Sequence, residues 1–226
     1  KDVKFIFFLR NPIDRSYSHY TMRRYNNLVN EPEFDFLVDN LNKLQTKFQK
    51  SSIVELAQGF KSLNELEQKN WRYLHYFRTG QYFARISDFL RYFPLEKMKF
   101  VLFEEFINNP KSQMEEIIEF LELDKNYNFY FSKHSNKSGI IKYKQLHKLL
   151  KLLSSNKYLS KIALNTLGHT NSTKLYYFLK NTNRTHNRPP EISDQSKKKL
   201  IEFYSLDIIE LQNLIQKDLS NWLKYD

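Results

Sequence analysis

The chain has 226 residues, longer than a typical single domain of about 150 residues but still able to fold around one core. Its 41% hydrophobic and 27% charged residues exclude intrinsic disorder, and the absence of cysteine excludes disulfides, cysteine-zinc sites and thiol catalysis. The 36 Lys and Arg against 25 Asp and Glu give a formal charge of +11, which favours anionic partners: nucleotides, acidic glycans, nucleic acid or a membrane surface. No apolar run approaches the roughly 20 residues of a membrane span.

The first predicted elements are a strand and a helix joined by a tight turn. Residues 3–9 form an almost continuous apolar run of β-forming residues, which predicts a buried parallel strand. Asn11 and Pro12 follow. Because Asn caps helices and Pro is favoured at the first helical position, we predict a helix from Pro12 to about Asn26.

The rest of the chain is mainly helical in pattern, with one more strand. We predict, in order, a polar helical region at 31–78, a helix at 82–93, a strand at 99–103, a helix opened by Pro110, a loop at 124–142, helices at 143–153 and 156–167, a loop at 181–190, and a last pair of helices capped by Ser193 and ending near Trp222. Ser52-x-x-Glu55 and Ser62-x-x-Glu65 have the pattern of capping boxes. The order of elements in the first half predicts an α/β fold with a parallel sheet.

Candidate phosphate ligands cluster where the first strand ends. Arg10 lies at the carboxyl end of this strand, where open α/β sheets bind ligands, and the next helix begins at the same place with free N–H groups. Arg15 and Ser18 are three residues apart and share a face of that helix. These side chains could converge with the helix N-terminus on one phosphate. In the alternative interpretation, Arg10 and Arg15 pair with Asp14 or another carboxylate and only stabilise the turn.

The same stretch resembles the 3'-phosphate-binding motif of sulfotransferases that use 3'-phosphoadenosine 5'-phosphosulfate (PAPS). That motif is a strand followed by Arg-Asn-Pro-x-x-Arg-x-x-Ser-x-Tyr, and its positions are filled here by Arg10, Asn11, Pro12, Arg15, Ser18 and Tyr20. Further stretches resemble the family's middle section and closing helices in the expected order: Gly80-Gln81-Tyr82, Phe93-Pro94, residues 100–106, Asn109-Pro110, and Asp218-Leu219 with Trp222. The resemblance covers most of residues 1–122 and 189–223. It is greatest to the heparan-sulfate and bacterial glycan or lipid sulfotransferases.

The resemblance implies an α/β, P-loop-NTPase-like sulfotransferase fold, with a central parallel sheet flanked by helices and a helix-rich C-terminal half, over residues 1–226 as a single domain. It implies PAPS as donor, 3'-phosphoadenosine 5'-phosphate (PAP) as product, no metal, and an acceptor hydroxyl or amine on a glycan or lipid. Arg10, Ser18 and Arg15 are the implied nucleotide-binding residues. By position, a basic loop containing Lys137, Ser138 and Lys142 would close over the nucleotide. A solvated surface loop is the alternative for that segment.

The family's 5'-phosphosulfate loop, a strand followed by a Gly- and Lys-containing turn, has no counterpart among the four glycines of this sequence. The sequence begins with Lys1 and continues directly into a strand. We therefore expect that this strand-loop-helix and the catalytic base, a Glu or a His, lie on residues before Lys1, and that the 226-residue chain alone is inactive. The compartment stays open: cytoplasmic for a bacterial protein, or the Golgi lumen for a eukaryotic one.

Two other functions remain open from the sequence. One is another P-loop-type nucleotide-binding transferase or kinase. The other is a non-catalytic basic module that binds polyanions or nucleic acid, supported by the net charge and by basic stretches such as Lys142–Lys151 and Lys197–Lys199. No nucleic-acid-binding motif is present, so we expect no nucleic-acid partner. The sequence does not identify the acceptor, and we expect residues 27–78 to make the contacts with it.

Overall fold

A computed structural model describes residues 3–26, 31–48, 63–124, 129, 131, 140–156, 158, 160–161, 165–166, 168–185 and 189–224. The chain forms two compact units. The first contains Lys1–Tyr20, Pro32–His134 and Ile192–Asp226, and the second contains Thr21–Glu31 and Ser135–Glu191. In the described part of the chain, no helix has the length and apolar character needed to cross a membrane.

The first unit contains a parallel sheet of two strands, β1 (Phe5–Leu9) and β2 (Met98–Leu102). Phe5 pairs with Met98 and Leu9 with Leu102, so both strands end at the same edge of the sheet. The predicted parallel α/β arrangement is confirmed. The second strand begins and ends one residue earlier than predicted.

Helices surround this sheet and fill the second unit. In chain order they are α1 (Pro12–Thr21, continued by a π turn at Met22–Asn26), α2 (Phe34–Asp39), α3 (Leu41–Phe48), α4 (Glu65–Arg78), α5 (Tyr82–Leu90), α6 (Phe103–Asn108), α7 (Pro110–Leu121), α8 (Lys144–Ser155), α9 (His169–Thr182) and α10 (Asp194–Ile215). Of these, α8 and α9 belong to the second unit. Short 3-10 turns occupy Leu95–Lys97 and Ser220–Leu223.

Several helix boundaries follow the sequence signals. Pro12 and Pro110 open α1 and α7 as predicted, and the Ser193 hydroxyl accepts the Ser196 N–H at the start of α10 (3.2 Å). The helix predicted over 82–93 ends at Leu90. Pro94 disfavours helical backbone at the residue before it, and a turn fills the gap.

Other predictions were wrong or untested. The capping box of α4 is Asn64-x-x-Glu67, not Ser62-x-x-Glu65: Asn64 Oδ1 accepts the Glu67 N–H, and the Glu67 carboxylate accepts the Asn64 N–H. Two helices were missed: α6, because its apolar residues continue the pattern of β2, and α9, because its first turns are rich in Asn, Ser and Thr. The proposed box at Ser52-x-x-Glu55 lies outside the described residues, as does much of the helix predicted at 156–167.

The residues of β1 alternate between two environments. Phe5 and Phe7 pack on α5, with the Phe7 and Phe89 ring centroids 5.3 Å apart, while Phe8 points to the opposite face. Phe8 contacts the Phe106 ring at 5.3 Å and remains 50% exposed. The prediction of a buried strand is therefore wrong for Phe8, because its face of the sheet is only partly covered.

Gly80 allows α1, the α4–α5 turn and α10 to meet. A Cβ at this position would lie 3.0 Å from Pro12 Cβ and 3.1 Å from Tyr204 Cε1 and Oη. Tyr204 is fully buried and donates its hydroxyl proton to the Phe77 carbonyl (2.9 Å). Neither the proline ring nor the anchored tyrosine can move away easily. Glycine is therefore needed here for close packing, and the contact fixes the start of α1.

We expect Gly80→Ala to lower the free energy of unfolding by about 1–3 kcal/mol, because the added methyl overpacks a rigid contact. Chemical denaturation of the two proteins would measure the difference. Ser112→Ala, on the exposed side of α7, is the control and should leave stability almost unchanged. Equal midpoints for the wild type and Gly80→Ala would contradict the close approach.

Candidate functional site

The site lies in the first unit, at the edge where both strands end. Asn11 caps α1: its Oδ1 accepts the Ile13 N–H (3.0 Å), and its carbonyl accepts the Arg15 N–H (2.9 Å). The Asn11 N–H donates to Glu104 Oε1 (3.0 Å), immediately after β2. The turn between β1 and α1 is thus fixed to the end of the neighbouring strand, and the N-terminal end of α1 is held at the sheet edge.

The backbone of Arg10 is held by one side chain, that of Tyr82. The Tyr82 hydroxyl accepts the Arg10 N–H (3.3 Å) and donates to the Arg10 carbonyl (3.0 Å). Burial raises the pKa of Tyr82, against the lowering effect of the Arg10 backbone bond and of nearby arginines, so the phenol keeps its proton. A protonated hydroxyl can make both bonds at once. Tyr82 therefore sets where the Arg10 side chain leaves the strand.

The Arg10 guanidinium is oriented by two neighbours. Its Nη2 lies 4.0 Å from Asp14 Oδ2, and its Cζ lies 5.2 Å from the centre of the Phe103 ring. The Arg10 side chain is 34% exposed and that of Asp14 is 58% exposed. A long ion pair between such exposed groups contributes only about 0–1 kcal/mol, so an incoming dianion can compete for the guanidinium. The arginine is positioned but still accessible.

The Arg15 side chain is directed to the end of α4 and not to the sheet edge, where the phosphate ligands were predicted. Its Nη1 donates to the Tyr76 carbonyl (3.4 Å) and to the Thr79 hydroxyl, at the C-terminal end of α4. A cation there is stabilised by the carbonyl end of the helix dipole. Ser18, one turn further along α1, is exposed. The structure thus gives Arg15 a role in joining α1 to α4, and its predicted role in phosphate binding stays a prediction.

From the sequence, Glu104 and Glu105 could form an acid–base pair or mark the carboxylate-rich start of a helix; the structure places both in the first turn of α6 and gives them different partners. Glu105 pairs with Lys217 (2.6 Å). Glu104 uses Oε1 for the Asn11 N–H, whereas its Oε2 is buried without a hydrogen-bond partner among the described residues. The position of Glu104 in the sequence could have indicated its place at the site. A polar residue that follows a second parallel strand lies at the same sheet edge as Arg10.

The basic loop predicted to cover the nucleotide is only partly described. Lys137 and Ser138 lie outside the described residues, and Lys142 belongs to the second unit. The Lys142 N–H donates to the Asn183 carbonyl (2.9 Å), and its Nζ lies 5.0 Å from the centre of the Tyr143 ring. The role of these three residues stays a prediction. Within the described ranges, no group of three or more His, Asp and Glu could hold a metal ion.

The fold is α/β, with one basic side chain, that of Arg10, between the end of β1 and the N-terminus of α1. The sulfotransferase domain family matches residues 1–202, and the chain belongs to that family. The fold is also similar to a crystal structure of a sulfotransferase from Alicyclobacillus acidocaldarius, with a TM-score of 0.56 at 18% identity. That alignment covers 99% of this chain and 58% of the Alicyclobacillus chain, so this chain spans little more than half of that protein's length.

We expect Tyr82→Phe to lower the free energy of unfolding by about 1–3 kcal/mol, because the N–H and the carbonyl of Arg10 both lose their partner while the ring remains. Urea denaturation would measure this change. Tyr92→Phe is the matched control: Tyr92 is 79% exposed, and losing its hydroxyl should have almost no effect. Equal losses in both variants would mean that the two bonds to Arg10 contribute nothing.

Proposed function

We propose that this chain is the part of a PAPS-dependent sulfotransferase that holds the 3'-phosphate of the donor nucleotide. In this reaction a sulfuryl group moves from PAPS to a hydroxyl or amine of an acceptor, and PAP leaves. The observation that carries the proposal is Arg10: it lies at the carboxyl end of β1, beside the N-terminus of α1, with its backbone fixed by Tyr82. Membership of the sulfotransferase domain family supports the reaction class.

The donor set fits a phosphate. The Arg10 guanidinium can give two parallel N–H donors, the N-terminus of α1 adds a favourable dipole, and the exposed Ser18 hydroxyl can add another donor. Phe103 keeps the guanidinium plane in position beneath these groups. Such a site holds the nucleotide in one orientation and so positions its reacting end. It contributes to catalysis by positioning and not by proton transfer. The catalytic base is proposed to lie outside these 226 residues.

Titration with PAP, followed by the melting temperature, tests the donor site. A ligand that binds only the folded chain raises stability by about 2.7 kcal/mol at 100 times its Kd, which is several degrees for a chain of this size. We expect PAP to stabilise the chain, and AMP, which lacks the 3'-phosphate, to do so far less. Arg10→Ala should weaken PAP binding about 10- to 100-fold, because a charge-assisted contact is lost.

Arg91→Ala is the matched control for that titration, because Arg91 is a strongly exposed arginine on the same unit, with a side chain 73% accessible. It should bind PAP like the wild type. If PAP and AMP stabilise the chain equally, or if Arg10→Ala and Arg91→Ala behave alike, Arg10 is not the 3'-phosphate ligand.

A second candidate function, polyanion binding, is favoured by the distribution of charge. Residues 135–190 contain eleven Lys and Arg and no Asp or Glu, whereas the rest of the chain has equal numbers of basic and acidic residues. Lys144, Lys148 and Lys151 on α8 and Lys174 on α9 are exposed. The pKa of His147 is lowered by burial and further by Lys151, Arg184 and Lys180, as expected beside concentrated positive charge. This segment could hold an acidic polysaccharide acceptor.

Salt dependence distinguishes surface polyanion binding from a shaped nucleotide site. We expect the affinity for heparin, as a model acidic polysaccharide, to fall steeply with rising salt, because each neutralised charge releases a counterion. The triple variant Lys148→Glu, Lys151→Glu and Lys174→Glu should flatten this slope, whereas Lys111→Glu on α7 should not. A slope unchanged in the triple variant would exclude this surface, and tighter binding of duplex DNA than of heparin would point to nucleic acid instead.

A further inference from the structure

A polar cavity of about 420 Å³ lies in the first unit, beside the C-terminal end of α4. Its volume falls in the usual range for small-molecule pockets, about 300–1,000 Å³. Most of its wall is amide, hydroxyl and guanidinium, contributed by Asn42, Gln45, Thr46, Arg78 and Gln81. This lining is unlike an apolar lipid pocket, and none of these residues belongs to the Arg10 site.

Arg78 is the charged group of this cavity, and its charge is poorly compensated. Its Nη1 is buried without a hydrogen-bond acceptor, and no carboxylate pairs with the guanidinium within the described ranges. Burial lowers the pKa of Arg78, in keeping with a cation that lacks a local counter-charge. An unpartnered buried donor on a cation is costly, and an anionic ligand would relieve that cost.

The surroundings of Arg78 add positive charge and hold its side chain in place. Its Cζ lies 5.7 Å from the centre of the Trp71 ring, which restricts the guanidinium plane. Arg85 donates to the Arg78 carbonyl (3.5 Å). The nearby Asp207 carboxylate is engaged elsewhere, since it accepts the Phe83 N–H (3.1 Å) and the Ala84 N–H (3.0 Å) at the start of α5. The described residues that line the cavity therefore supply a fixed donor fork and no carboxylate.

The neutral groups around Arg78 indicate what else the ligand carries. A primary amide offers two donors and one acceptor, and a hydroxyl offers both kinds of bond, so Asn42, Gln45, Gln81 and Thr46 suit a molecule rich in hydroxyl groups. An ion such as chloride would use the cation but leave the amides unused. A hydroxylated molecule with one anionic group matches the whole lining.

We propose that this cavity binds the carboxylate or sulfate group of an acidic sugar, with Arg78 as the charge partner and the surrounding amides bonded to sugar hydroxyls. This proposal extends the proposed function. It rests on that function only where it identifies the sugar as the acceptor. Arg15 connects the two sites, because its guanidinium bonds to Tyr76 and Thr79 on either side of Arg78. An acceptor held at Arg78 would thus lie on the same helix end that α1 uses as its anchor.

Ligand-observed NMR titration of the 226-residue chain tests the cavity, with glucuronate, glucose 6-sulfate, glucose and inorganic sulfate as separate probes. We expect glucuronate or glucose 6-sulfate to bind more tightly than both glucose and inorganic sulfate, and the comparison of the two acids identifies the preferred group. Arg78→Met, which keeps an unbranched apolar side chain but removes the guanidinium, should weaken binding of the preferred acid about 10- to 100-fold. Arg91→Met should have no effect.

The same samples separate this proposal from the donor-site proposal. PAP stabilisation is measured in parallel and should survive in Arg78→Met, because Arg78 is not part of the Arg10 site. If PAP stabilises the chain but no acidic sugar binds better than glucose, the cavity proposal is overturned and the donor site stands. If the acidic sugar binds through Arg78 but PAP has no effect, the cavity proposal stands and the donor-site proposal is overturned.

A folding defect in Arg78→Met would not leave the question open. Asn42 lies on the exposed side of α3, and Asn42→Leu removes an amide from the cavity wall without touching the buried core. It should weaken binding of the acidic sugar severalfold at unchanged melting temperature. Wild-type affinity for the acidic sugar in Asn42→Leu, or in a folded Arg78→Met, would overturn the proposal.

Discussion

The arrangement of the first unit depends on the close contact of Gly80 with Pro12 and Tyr204. Three segments far apart in the chain meet there: the start of α1, the turn between α4 and α5, and the middle of α10. Because glycine has no side chain, the buried Tyr204 can lie against this turn and hold α10 to the end of α4 through the Phe77 carbonyl. The position of α1 follows, and with it the positions of the candidate phosphate ligands Arg10, Arg15 and Ser18.

Tyr82 extends this constraint to the strand end. It follows the Gly80 turn by two residues, and its hydroxyl bonds to both backbone groups of Arg10. Glu104 holds the next residue, Asn11, from the first turn of α6, which follows the neighbouring strand. The guanidinium of Arg10 itself is held only by an exposed carboxylate and a ring face. The backbone of Arg10 is thus rigidly fixed, while its charged end stays accessible. This is the arrangement expected of a residue that binds an anion.

The net charge of the chain does not show that the excess of basic residues is concentrated in one segment. Residues 135–190 carry all of the basic excess, and the remainder is balanced. In the balanced part, single arginines act through local geometry: Arg10 at the strand end, Arg15 at the end of α4 and Arg78 in a polar cavity. In the basic segment, many exposed lysines act together through their summed field, which salt screens. The chain therefore contains two arrangements of positive charge, single oriented arginines and a segment with many exposed lysines.

The sequence by itself determined the parallel strands, the helix after Asn11-Pro12, the place of Arg10 and the sulfotransferase family, because apolar runs, caps and short motifs act over neighbouring residues. It did not distinguish Arg10 from Arg15, which are five residues apart and chemically identical. Only the tertiary structure directed Arg15 to α4, gave Glu104 its bond to Asn11, made Gly80 a packing residue and left the half-buried Arg78 without a counter-charge among the described residues. These outcomes depend on contacts between residues 60 to more than 120 positions apart, and such contacts leave no local pattern in the chain.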